Sequence, residues 1–115
     1  MTRNADTSDT LPDIQIKSPG EAVASLPGPA DEAVLSALMV RALQAHADSL
    51  AETREAKTVS VSLDMTGKPH DGGEVQIRSE VDRQTRTIIF MGGELLAKGE
   101  ILLKATAIFR LSDPD

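Results

Sequence analysis

Two different periods of apolar residues succeed one another along this chain. Residues 21–26 read EAVASL, with Ala22, Ala24 and Leu26 on one side and Val23 and Ser25 on the other, the two-residue period of a short strand. From residue 30 to about residue 54 the period lengthens: Val34, Leu35, Leu38, Met39, Ala42, Leu43, His46 and Leu50 recur every three or four positions, which predicts an amphipathic helix. Its start carries Pro29 near the first turn and Asp31 and Glu32 against the positive end of the helix dipole. Neither Gly nor Pro interrupts it, so it is long, and Ala37, Ala42 and Ala45 let it sit close to a sheet.

After the helix the two-residue period returns. KTVSVSLDM alternates Val59, Val61, Leu63 and Met65 with Thr58, Ser60, Ser62 and Asp64, and EVQIRSEVDR alternates Val75, Ile77, Ser79 and Val81 with polar residues. TGKPHDGG and RQTR punctuate these as turns. Residues 87–96 and 101–111 predict two further strands, joined by a tight hairpin at Lys98-Gly99 where positive φ is needed. Gly92-Gly93, in mid-strand, predicts a bulge or a sharp coil of the sheet. The expected order is a short strand, a long helix and a meander of four antiparallel strands. A sheet with a single helix must wrap around it to bury it, so the class is α+β with about five strands. Residues 1–12, polar and without periodicity, read as a loose N-terminal tail, and residues 13–115 as one domain.

Composition narrows the function. At 40% apolar residues the chain can bury a core, and with only two aromatic residues, both Phe, that core is aliphatic. A net charge of −6 with almost no aromatic rings argues against nucleic acid as a partner. The absence of Cys excludes disulfides, thiolate metal sites and a Cys nucleophile, and two histidines make a His-rich metal site implausible. No apolar run approaches the roughly 20 residues of a membrane span, nor the apolar core of a signal peptide, so the expectation is a cytoplasmic protein with no metal, cofactor or membrane partner.

The order and spacing of SLPGP, PADEAVLSALMVRAL, TVSVSLDMTGKP, VDRQTRTIIFMGGELL and KGEILLKATAIFRL resemble the hotdog-fold thioesterase superfamily, especially its phenylacetate-pathway and 4-hydroxybenzoyl-CoA thioesterase branches. The resemblance spans residues 20–112. It implies one central helix wrapped by a curled antiparallel sheet, a homodimer or homotetramer, and acyl-CoA or another thioester bound at a subunit interface. Members commonly carry His-Gly-Gly before the helix and an acidic residue inside it. Here the helix start reads Pro29-Ala30-Asp31-Glu32, and the acidic position falls at Met39 or Val40.

Candidate chemistry follows from that resemblance. Asp31 or Glu32, at a helix start beside an apolar groove, could activate water on a thioester, or could simply complement the dipole. Ser60 or Asp64 could orient that water, or could belong to a solvent-facing strand. Lys68, His70, Arg83 and Arg86 lie in or beside two turns and could hold the phosphates of CoA if both turns share one edge of the sheet. His46, on the apolar stripe of the helix, reads as a satisfied core histidine. Three functions are therefore weighed: an acyl thioester hydrolase, a catalytically silent hotdog that binds acyl thioesters or builds an oligomer, and a cystatin-like helix-on-sheet binding domain.

Overall fold

The computed structural model describes residues 12–68 and 70–114, so the tail expected over residues 1–12 lies, save Pro12, outside the described residues. Strands β1 (Ile14–Ser18) and β2 (Glu21–Leu26) precede helix α1 (Glu32–Ala51). Four strands follow: β3 (Glu55–Met65), β4 (Gly73–Gln84), β5 (Ile88–Ala97) and β6 (Glu100–Ser112). β2 coincides with the alternating EAVASL stretch and buries Ala22, Ala24 and Leu26 as its pattern requires. β1, one strand more than the sequence pattern suggested, pairs with β2 across the Pro19-Gly20 turn. Among the described residues no helix is long and apolar enough to cross a membrane.

The strands form one antiparallel sheet in the order β1-β2-β4-β5-β6-β3. The expected four-strand meander is thus only partly present. β4, β5 and β6 do follow one another as hairpin neighbours, and the last turn carries Lys98 and Gly99 at φ 52 and 81. TGKPHDGG, however, does not join neighbours: β3 pairs with β6, and β4 pairs with β2. Local alternation says which face of a strand is buried, but not which strand lies beside it. Placing β2 and β3 on opposite flanks lets the sheet curl round both sides of α1.

The helix buries Leu35, Leu38, Met39, Ala42, Leu43, Ala47 and Ala51, a stripe at three- and four-residue spacing. It lies on an inner sheet face that includes Val75, Ile77, Ile89, Met91, Leu103 and Phe109. Gly93 marks the closest approach. A Cβ there would stand 2.5 Å from Met39 Cε, 3.1 Å from the Arg78 carbonyl oxygen and 3.3 Å from Leu43 Cδ2. Gly93 therefore serves helix packing, and no bulge falls at the glycine pair. The register shifts of β4 and β5 fall at Val81/Arg83 and Leu95/Leu96 instead.

A further bulge, between Thr58 and Ser60, reverses the expected faces at the start of β3. Val59 leaves the inner row and is 57% exposed. Thr58 joins that row, and its hydroxyl donates to Gln44 Oε1 at 3.2 Å, while Gln44 Nε2 donates to the Ala56 carbonyl at 2.9 Å. Val61, Leu63 and Met65 then pack against the core as the alternation predicts.

Candidate functional site

The start of α1 is built by two loops meeting. Asp31 is the N-cap, its Oδ1 accepting the Val34 N–H at 3.0 Å, so this carboxylate is committed to holding the helix end. Glu32, in the first turn, remains exposed and makes no such bond. The Ala30 N–H donates to the His70 carbonyl at 3.3 Å, tying the β3–β4 loop to the helix start. His70 is only 8% exposed, and its Nε2 is buried without a hydrogen-bond partner among the described residues. Its side chain is therefore enclosed where the turn meets the helix start. The first turn of any helix leaves N–H groups without intrahelical acceptors, and here they lie beside Glu32 and the His70 loop.

The other sequence candidates do not gather at this point within one chain. Ser60 and Asp64 are exposed on the outer face of the sheet, where Ser60 pairs with Ile108 and Asp64 with Lys104. Lys68 follows β3 on the helix-start end and forms an ion pair with Glu100 at 2.8 Å. The hydrogen bond and charge of Lys68 hold the Glu100 carboxyl below the usual carboxylate range. Arg83 and Arg86 lie at the opposite end, around the β4–β5 turn, where the Arg54 guanidinium at the far end of α1 donates to the Arg86 carbonyl. The four expected phosphate ligands thus split into two pairs at opposite ends of the strands.

Two concavities flank the sheet. An open trough of about 650 Å³ lies on the outer face, floored by Gly92 and walled by Arg78, Glu94, Lys104 and Asp64. A smaller cleft of about 120 Å³ opens between α1 and β2, lined by Ile16, Ala22, Ala42, Ala45 and Ile77 with His46 and Ser79. His46 Nδ1 lies 2.8 Å from Ser79 Oγ, so the histidine is satisfied by a side chain that sequence reasoning did not pair with it. The signal was present: Ser79 is the one polar residue in the apolar alternation Val75, Ile77, Ser79, Val81, and His46 the one polar residue on the helix stripe.

Burial pulls the His46 pKa below its usual value. The folded state therefore resists protonation while the unfolded chain takes a proton near pH 6.5. Stability is expected to be indifferent to this group at higher pH and to fall as pH drops through about 6.5 towards the lowered folded value. Thermal melts across that window should show a steeper acid-side loss for the wild type than for His46→Gln. Equal slopes would contradict the assignment.

The fold is that of several solved proteins. A mutant of a phenylacetic acid degradation protein from Thermus thermophilus is 20% identical, with 90% of this chain and 96% of that one covered at a TM-score of 0.72. A hypothetical thioesterase of Streptococcus pneumoniae, solved with coenzyme A, is 20% identical over 88% of each chain at 0.71. A Bacillus halodurans protein, also solved with CoA, is 16% identical over 96% of this chain and 78% of that one at 0.79. No curated protein matches the chain. A helix wrapped by a curled antiparallel sheet, here of six strands, is the hotdog arrangement implied by the sequence resemblance. Residues 33–110, from the first turn of α1 to near the end of β6, match the acyl-CoA thioesterase N-terminal domain, and the chain belongs to that family.

Proposed function

We propose that the chain hydrolyses acyl-CoA thioesters at the start of α1, in an assembly where a second copy completes the site. The observation that carries this reading is the family match over residues 33–110, which takes in the helix and all four strands after it. Two solved relatives by fold that hold CoA support the ligand class. The thioester carbonyl oxygen accepts hydrogen bonds from free N–H groups of the first helical turn, where negative charge develops during attack. Glu32, exposed and free of the cap, takes a proton from water as the water oxygen bonds to the carbonyl carbon. The C–S bond then breaks and the thiolate is protonated as it leaves. Asp31 holds the helix end.

Ser60, Asp64, Arg83 and Arg86 contribute to such a site only across a subunit boundary, because in one chain they lie on the outer face or at the far end. β3 supplies a boundary of that kind. It is an 11-residue edge strand whose free side is a template for a second β3, and pairing of two copies would remove the edge. Lys68 stands at the helix-start end and is the cation placed for a CoA phosphate within the same chain. A coenzyme A ester as substrate and a chain without cysteine fit a cytoplasmic location.

A second reading, silent binding of acyl thioesters, is favoured by Met39 and Val40, where the resemblance expects the helix acid: both are apolar, and Met39 is fully buried. Thiol release from a panel of acyl-CoAs separates the two. Under the hydrolase reading the wild type turns over, Glu32→Gln loses roughly 100-fold or more, and Asp31→Asn, which keeps the cap, stays within a few-fold. Asp31→Ala should cost about 1 kcal/mol of stability through the lost cap. Absence of turnover with retained CoA binding would establish the silent reading.

A further inference from the structure

One polar pair has no part in the chemistry at the helix start. The cleft between α1 and β2 is walled by Ala22, Ala42, Ala45 and Ile77 and bordered by Ile16, which is 54% exposed. His46 and Ser79 join this apolar lining. His46 Nδ1 and Ser79 Oγ stand 2.8 Å apart, and among the described residues neither side chain has another hydrogen-bond partner. Burial pulls the His46 pKa below its usual value, so the imidazole is neutral at neutral pH. With its proton on Nε2, such a ring accepts the serine hydroxyl at Nδ1. A hydroxyl held on a neutral imidazole is the arrangement of an activated nucleophile.

The β1–β2 turn completes the surroundings. Gly20 lines the same cleft and takes φ 90, a conformation that favours glycine. Its carbonyl accepts the Ser79 N–H at 2.9 Å. A Cβ at Gly20 would stand 2.6 Å from the Ser79 carbonyl oxygen and 3.2 Å from His46 Cε1, so only glycine lets the turn approach the pair this closely. The Gly20 N–H itself makes no hydrogen bond among the described residues. It is a free donor for an oxygen that gains negative charge in the cleft.

We infer that Ser79 and His46 form a second hydrolytic centre, a serine–histidine dyad that takes short-chain carboxylic esters. Ser79 Oγ bonds to the ester carbonyl carbon as its proton passes to His46 Nδ1. The carbonyl oxygen takes up the negative charge and accepts the Gly20 N–H. The C–O bond to the alcohol then breaks, and the leaving alkoxide takes the proton from His46. Water attacks the acyl-serine as the same nitrogen removes its proton. That proton returns to Ser79 Oγ as the carboxylic acid departs. At about 120 Å³ the cleft has room for a short acyl group and none for a long chain. His46 stands on α1 and Ser79 on β4, and these two regular elements fix the pair without a third group to orient the base. The dyad lies about 20 Å further along α1 than Glu32, so its chemistry is independent of the helix start.

The test is acyl transfer from p-nitrophenyl acetate, followed by p-nitrophenolate release and by mass spectrometry of the acid-quenched protein and its peptides. The wild type is expected to carry an acetyl group on Ser79. His46→Gln, whose amide can still bond the hydroxyl but cannot take its proton, is expected to acetylate Ser79 about 100-fold more slowly. Ala45→Leu, which fills the cleft from a helix position and leaves both reacting groups in place, is expected to abolish the labelling. Circular dichroism confirms that each variant is folded. A wild type with acetyl groups on lysines alone, or with none, overturns the proposal without recourse to any variant. A folded His46→Gln that labels Ser79 at the wild-type rate removes the base and overturns it too. Labelling at the wild-type rate in folded Ala45→Leu shows that the acyl group does not enter the cleft, with the same result.

Discussion

Gly93→Val is expected to destabilise the protein by about 3 kcal/mol, towards the upper end of what overpacking a core costs. The new side chain would begin 2.5 Å from Met39 Cε and 3.1 Å from a backbone oxygen of β4. A methionine end moves easily when there is room, but Met39 is fully buried, and Leu43 stands on its other flank at 3.3 Å from the same Cβ. The helix must therefore lift from the sheet or β5 must shift. For a domain of this size the loss corresponds to a melting temperature lower by roughly 10 °C. Gly92→Val, one residue away on the outer face, meets at its Cβ the Asp82 carboxylate at 3.3 Å and the Ala105 carbonyl oxygen at 3.9 Å, and is expected to melt close to the wild type. Calorimetry of the two variants checks the assignment of faces: equal losses would show that the glycines are not divided between the helix and the trough.

Phe109→Ala is expected to cost about 3–5 kcal/mol, a large part of the whole stability of a domain this size. Phe109 is 1% exposed on the inner face of β6, between Ile89 on β5 and Thr58 on β3. Phe90, the other aromatic residue, is half-buried on the outer face, and Phe90→Ala should cost less than half as much in unfolding of the single chain. Urea titration gives both values, and a fall in midpoint without change in slope marks a loss of native packing. If Phe90→Ala lost as much as Phe109→Ala, the inner and outer faces of β5 and β6 would be misassigned.

Much of the fold was legible along the chain. β2 lies where alternation placed it, and α1 has the buried stripe that its spacing requires. The Lys98-Gly99 hairpin has the positive φ values that its residues imply. Each of these depends on residues within one or two turns of each other, so sequence distance and spatial distance are nearly the same. Where β3 goes depends on which strand offers a matching flank once the helix is covered, and no local pattern contains that choice. The bulge at Val59 is the sharper case. An unbroken V-S-V-S alternation predicts one face for Val59 and Val61, but the extra residue separates them.

The candidate site divides in the same way. The sequence could mark Asp31 and Glu32 as the start of a helix, because dipole and capping chemistry are local. It could not divide their roles, since that depends on which carboxylate reaches Val34, and the structure gives the bond to Asp31. Likewise His70 read as a turn cation, but the turn folds onto the helix start and buries it.

By itself, then, the sequence determined the periods: which segments are helical or extended, which of their faces are apolar, and where the chain turns. Those follow from backbone geometry and side-chain polarity acting over a few residues. The tertiary structure alone decided the neighbours: β3 beside β6, Ser79 against His46, and Gly93 under Met39. Such contacts join residues far apart in the chain, and their selection depends on closing one curled sheet around one helix, a constraint that exists only once the whole chain is folded.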